Sequence, residues 1–147
     1  MEAPPTGPYV QAALFCEMLL ESKDNVASII RVIDRVTHTV VDPGAPDELP
    51  PFSYSANAVI MLKGGGARGT CNLDIVREAP DATIETVASG TVTFSGAPQQ
   101  GVTVQLRVDN VYTQTGIYWF DVILDGKLLT KMPFEVVYQR VRPGRAS

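Results

Sequence analysis

The chain is short of the residues on which most enzymes and metalloproteins depend. Its 147 residues include one histidine, His38, and two cysteines, Cys16 and Cys71. A zinc site draws several nitrogen or sulfur ligands from one neighbourhood, and neither cysteine has another Cys or a His at ligand spacing. A Ser-His-Asp or Cys-His site would have to run through His38, which stands in Thr37-His38-Thr39 near a strand end and reads as half exposed. The nucleophile-elbow string G-x-S-x-G occurs nowhere. No catalytic residue, cofactor or metal is therefore expected.

Positive charge is scarce as well. Twelve Lys and Arg against sixteen Asp and Glu give a formal net charge of -4. The basic residues are scattered, which argues against a nucleic-acid surface, because phosphate binding needs a basic patch. The one local excess is Arg140, Arg142 and Arg145 in the last residues, read as a solvated terminus. No apolar run approaches the ~18 residues of a membrane-spanning helix. The opening MEAPPTGPY has neither the basic start nor the apolar stretch of a signal peptide. The expectation is a protein of the cytoplasm, with no membrane and no nucleic acid as partner.

What the chain does have is alternation. In Thr115 to Gln139, Tyr118, Phe120, Val122 and Leu124 fall on one side of an extended chain. Ile117, Trp119, Asp121 and Ile123 fall on the other. Asp125-Gly126 suits the positive dihedrals of a tight turn, and Lys127 to Tyr138 returns with Phe134, Val136 and Tyr138. This is a β-hairpin. Similar alternation marks Tyr9 to Leu20, Tyr54 to Leu62, Thr70 to Arg77 and Gly101 to Val111. Two short strands are expected at Thr83 to Val87 and Thr91 to Phe94, broken at Ser89-Gly90. Val26 to Val41 carries apolar residues at helical spacing too, but its β-branched content favours one long strand.

Seven to nine strands, with turns about every 8–12 residues, predict an all-β fold: a single antiparallel immunoglobulin-like β-sandwich. Its bounds are a flexible lead-in over 1–8, the sandwich over 9–139 and a basic flexible tail over 140–147. Hydrophobic residues at 45% and charged ones at 19% suit one folded core. Gly116-Ile117-Tyr118 looks like a tyrosine corner, whose phenol bonds back to nearby backbone, and Phe120 stands where an antibody domain has a disulfide cysteine. Cys16 and Cys71 read as two buried thiols, a disulfide between facing strands being the alternative. Met132-Pro133 hints that the last strand is an edge.

The remaining motifs are weaker. Lys63 to Gly69, KGGGARG, fits the dinucleotide string G-x-G-x-x-G and the GGGxRG oxyanion segment of patatin-like lipases. A strand pattern follows where the former needs a helix, so a hairpin loop is the expectation. Asp42, Asp47 and Glu48, and separately Asp121 and Asp125, could suggest calcium, but no D-x-D-x-D-G loop is present and solvated turn formers are expected.

The chain resembles a group of small uncharacterised bacterial proteins classed as a domain of unknown function. The blocks that carry the resemblance are ALFCEMLLE at Ala13 to Glu21, SIIRVIDR at Ser28 to Arg35, the GARG loop at Gly66 to Gly69, and GIYWFDVILDGKLLTKMPFEVVYQ at Gly116 to Gln139. The resemblance implies a single β-sandwich domain and supplies no activity. From the residues themselves, the expected function is non-catalytic presentation of a sheet face or edge to a protein partner, with self-association as one form of it. The candidate surface is Trp119, Asp121 and Ile123, since an aromatic with an aliphatic neighbour on an outer sheet face is a natural anchor. The alternative is a carbohydrate- or small-ligand-binding module using Trp119 and the loop acids.

Overall fold

The computed structural model describes residues 7–143. Among them are nine strands and no helix: β1 (Tyr9–Glu21), β2 (Ala27–Ile33), β3 (Arg35–Val41), β4 (Phe52–Lys63), β5 (Arg68–Glu78), β6 (Ile84–Ser95), β7 (Gly101–Tyr112), β8 (Gly116–Leu124) and β9 (Lys127–Val141). They form a four-stranded sheet of order β2-β1-β4-β7 and a five-stranded sheet of order β3-β9-β8-β5-β6. The fold is all-β with two sheets.

The alternation in β8 decides how the sheets meet. Tyr118, Phe120, Val122 and Leu124 are buried, and Phe134 and Val136 of β9 join them. The four-stranded sheet contributes Phe15, Ala58, Ile60, Leu62, Val108 and Tyr112 to the same core. Phe120 meets Phe15 edge-to-face at 4.9 Å between ring centroids, so one side chain from each sheet closes the centre. Each fully buried large apolar side chain contributes about 1.5–3 kcal/mol by its removal from water. At the β8–β9 turn, Asp125 and Gly126 have φ of 46° and 81°, the pair of positive values that a two-residue turn matched to strand twist requires.

The corner residue expected from the sequence is present. Tyr118 is buried, and its hydroxyl oxygen accepts hydrogen bonds from the backbone N–H of Thr113 (3.3 Å) and Gln114 (3.2 Å). This ties the β7–β8 connection to the start of β8.

Several expectations need correction. Val26 to Val41 is two strands, not one. The chain bends at Asp34, leaves the four-stranded sheet after Ile33 pairs with Phe15, and enters the five-stranded sheet where Arg35 pairs with Glu135. The β3–β9 pair is parallel, so the five-stranded sheet is mixed and the structure is not wholly antiparallel. The expected break at Ser89-Gly90 is absent. β6 runs through it, with its register shift opposite Ile75 and Val76 instead. Lys63 to Gly69 joins β4 of one sheet to β5 of the other and is a crossover, not a hairpin loop. Nor does the tail begin at Arg140. β9 continues to Val141, and Arg140 and Arg142 both donate to the Asp47 carboxylate, at 2.5 and 3.3 Å. Arg145 and residues 1–6 lie outside the described residues.

Candidate functional site

The outer face of β8 is built by the same alternation that builds the core. With Tyr118 and Phe120 turned inward, Ile117, Trp119, Asp121 and Ile123 project from the other side of the five-stranded sheet. In register, Trp119 lies between Glu78 of β5 and Pro133 of β9, Asp121 between Val76 and Lys131, and Ile123 between Asp74 and Leu128. Trp119 and Ile123 are about 14 Å apart along the strand at its usual rise. The three expected residues therefore share one continuous surface.

Exposure along this surface is graded. Trp119 keeps 38% of its area open and Ile117 47%, whereas Ile123 is half buried. Asp121 accepts a hydrogen bond from Lys131 Nζ at 2.9 Å, which holds both side chains across the β8–β9 ladder. A pair this open is worth about 0–1 kcal/mol, so it orients more than it stabilises. The result is an apolar strip of Ile117, Trp119 and Pro133 beside a neutralised Asp121–Lys131 pair.

The acids named with Trp119 for ligand binding are spread and engaged. Asp125 accepts from the backbone N–H of Asn72 at 2.7 Å and Asp42 from that of Gly44 at 2.7 Å. Asp47 carries Arg140 and Arg142, and Asp121 sits on a strand rather than in a loop. Among the described residues, no three His, Cys, Asp or Glu side chains stand together in a way that could hold a metal ion.

The other singled-out residues have structural occupations. His38 is half buried and stacks on Phe52, with ring centroids 4.4 Å apart and planes 5° from parallel. In the glycine-rich crossover, Gly64 N–H donates to Gln100 O (2.9 Å), Gly65 N–H to Pro98 O (3.0 Å) and Ala67 N–H to Gly64 O (3.0 Å). An anion or oxyanion cradle needs free amides, and these three are spent on the β6–β7 connection and the loop itself. Cys16 and Cys71 are free thiols. Cys71 packs toward the core, and Cys16, next to inward-facing Phe15, turns to the opposite face of its sheet. Burial pushes both thiols above the usual cysteine range.

Two features escaped the sequence reading. Beyond Cys16, β1 no longer pairs with β4 and continues with β2 as a two-stranded ribbon. One face of that ribbon exposes Met18, Leu20, Ile30 and Val32. The signal was available, since Met18 and Leu20 alternate as cleanly as Ile30 and Val32. The second is a polar link between the sheets: Arg77 Nη1 donates to Asn110 Oδ1 at 2.5 Å and Nη2 to Glu85 Oε2 at 3.0 Å. Arg77 Nε and Asn110 Nδ2 are buried without a partner. Burial also pushes the Tyr112 phenol far above the tyrosine range.

No family model matches the chain, and no curated protein matches it. Among solved structures, it is similar to β-glucosidase 3B from Thermotoga neapolitana in complex with α-D-glucose, at 14% identity and a TM-score of 0.46. That match covers 88% of this chain and 16% of the glucosidase, so the chain spans about a sixth of that protein. It is also similar to the alkylpurine DNA glycosylase AlkC of Pseudomonas fluorescens bound to DNA with an abasic-site analogue, at 11% identity, TM-score 0.39, 67% of this chain and 27% of that one. A third is an immunoglobulin-like protein from Pseudomonas aeruginosa, at 11% identity, TM-score 0.33, 90% and 98% coverage. Likenesses this distant transfer no activity and no ligand.

Proposed function

We propose that this is a non-catalytic interaction domain, an immunoglobulin-like sandwich that presents the outer face of β8 to a protein partner. The observation that carries the reading is Trp119, the only tryptophan, held half open on a sheet face between exposed Ile117 and Pro133. Aromatic anchors in apolar surroundings with a polar rim are where binding energy concentrates in protein interfaces. The rim is present as Glu78, Asp121, Lys131 and Glu135, with Asp121 and Lys131 already paired. The tyrosine corner and the exchange of one segment between sheets support the immunoglobulin-like arrangement. His38 stacked on Phe52 and the spent amides of the glycine-rich crossover support a domain without catalysis.

Acrylamide quenching of Trp119 fluorescence, repeated as protein concentration rises, tests this. Strong quenching of dilute protein is expected, and a fall in quenching with concentration would identify a second copy as the partner. Weak quenching in dilute protein would place Trp119 in a covered position and refute the proposed face. A glycan titration that changes the same fluorescence would instead favour a sugar-binding module.

A further inference from the structure

We infer that the partner is received, at least in part, as an added β-strand along the open half of β9, with one apolar side chain entering the cavity behind it. The inference deepens the interaction reading above and rests on the same sheet.

β9 is bordered by β8 from Lys127 to Val136, but β3 covers its other side only from Glu135 onward. The chain crosses between the sheets at Asp34, so in line with β3 no strand pairs with β9 from Lys127 to Phe134, and Ala13 to Phe15 of β1 stand across the gap from Lys131 to Pro133. Backbone groups two residues apart in a strand point the same way. Glu135 N–H donates outward to Asp34 O at 3.0 Å, so the carbonyls of Pro133 and Lys131 and the N–H of Lys131 also face the vacant side. Such a row of unpaired groups fits another extended polypeptide better than any small molecule.

Both faces of the vacancy are shaped. Behind it, Phe15, Val32, Ile33 and Met132 help line a mainly apolar cavity of about 140 Å³. In front, a groove of about 260 Å³ crosses β9 from Asp34 and Arg35 over Pro133 to Ile117, the neighbour of Trp119 on that face. An incoming strand alternates its side chains between these two spaces, which is how strand addition acquires specificity. Charge sets one end of the occupant. Lys131 is matched by Asp121 and Arg35 by Glu135, while exposed Asp34 has no ion-pair partner among the described residues. The occupant is therefore a strand with a basic residue at the Asp34 end. Pro133 argues against a second copy, since antiparallel pairing of two such edges would lack a donor on both sides.

The test uses ¹⁵N-labelled full chain and a capped hexapeptide, KTVTVT in one-letter code. The expected result is amide shift changes at Lys131, Met132, Phe134, Ile33 and Asp34. These should vanish with a version N-methylated at alternate residues. Lys131→Pro should weaken the peptide at least about tenfold, a hydrogen bond's worth, with the thermal melt checking that the fold persists. Asp34→Lys, which leaves the backbone intact, should reverse the preference to ETVTVT. Unchanged binding of the N-methylated peptide overturns the inference, as does the absence of shifts at millimolar peptide. Shifts confined to Trp119, Asp121 and Ile123 overturn it while leaving the face reading in place. Loss of fluorescence evidence for the face, with edge shifts intact, would do the reverse. Self-association through the same amides without peptide overturns the choice of a foreign strand.

Discussion

Replacing Tyr118 by Phe removes one atom from the interior and tests how the start of β8 is held. The ring stays, so the packing of Tyr118 against Tyr112, whose centroids are 4.9 Å apart and nearly perpendicular, is retained. What is lost is the acceptor for the Thr113 and Gln114 amides. At 3.3 and 3.2 Å these bonds lie at the long end of the ordinary range, so each is worth somewhat less than the usual net contribution of about 1 kcal/mol. Both amides are only part-buried and recover some solvation. The sum is a loss of about 1–2 kcal/mol. For a chain of this size that corresponds to a fall in Tm of roughly 3–8 °C. Urea unfolding followed by far-ultraviolet circular dichroism should show a lower midpoint with an unchanged slope, since the buried area is unaltered. Phe120→Ala supplies the contrast, costing about 3–5 kcal/mol through the cavity it leaves. A Tyr118→Phe variant within about 0.3 kcal/mol of the parent would refute the corner as a stabilising device.

Other outcomes follow from the same contacts. Gly64→Ala places a methyl 2.9 Å from the Ala97 carbonyl oxygen and should cost about 1–3 kcal/mol in thermal unfolding. Asn110→Ala leaves the half-buried Arg77 with Glu85 as its one remaining side-chain acceptor and should cost about 1.5–3 kcal/mol, while Arg77→Met with Asn110→Leu together should recover most of it in a double-mutant cycle. Ser55 and Arg107 hold the Asp109 carboxyl below the usual aspartate range, and bonds from Thr83 do the same for Asp81. Depressed carboxyl pKa values contribute stability above the unfolded-state pKa that is lost as pH falls through the folded one. NMR titration should therefore place both midpoints below about 3.9. Thiol titration of the folded protein should find Cys71 slow and Cys16 slower, with both reacting promptly in denaturant.

The sequence displayed most plainly what depends on near neighbours. The β8–β9 hairpin was legible because Asp125-Gly126 and the flanking alternation agree, and Tyr118 because its partners lie four and five residues away. What it concealed depends on partners far along the chain. The β-branched run from Val26 to Val41 stays strand-like across Asp34, so propensity gives no reason to divide it. The trace of the division is one of phase: the inward positions step from Ile33 to Val36, three residues instead of two. The parallel sense of β3 against β9 leaves no mark in alternation, which is the same for either direction. Glycine content at Lys63 to Gly69 likewise permits a hairpin or a crossover equally well. At the candidate site, Trp119, Asp121 and Ile123 were readable as one face, but the vacancy beside β9 was not, because it exists only where another strand fails to cover it.

The crossing at Asp34 also sets a timetable for folding. Arg35 must wait for Glu135, so β3 is synthesised a hundred residues before the strand it pairs with. The four-stranded sheet has all its members once β7 ends at Tyr112, whereas the five-stranded sheet lacks both β8 and β9 at that point. A chain emerging from the ribosome therefore completes one layer early and holds its apolar side uncovered until the last strand arrives. Pairings this distant are slow to close and leave the half-built molecule open to aggregation. Chains arrested just after Tyr112 should bind a chaperone or hydrophobic dye strongly, and chains extended past Val141 should not.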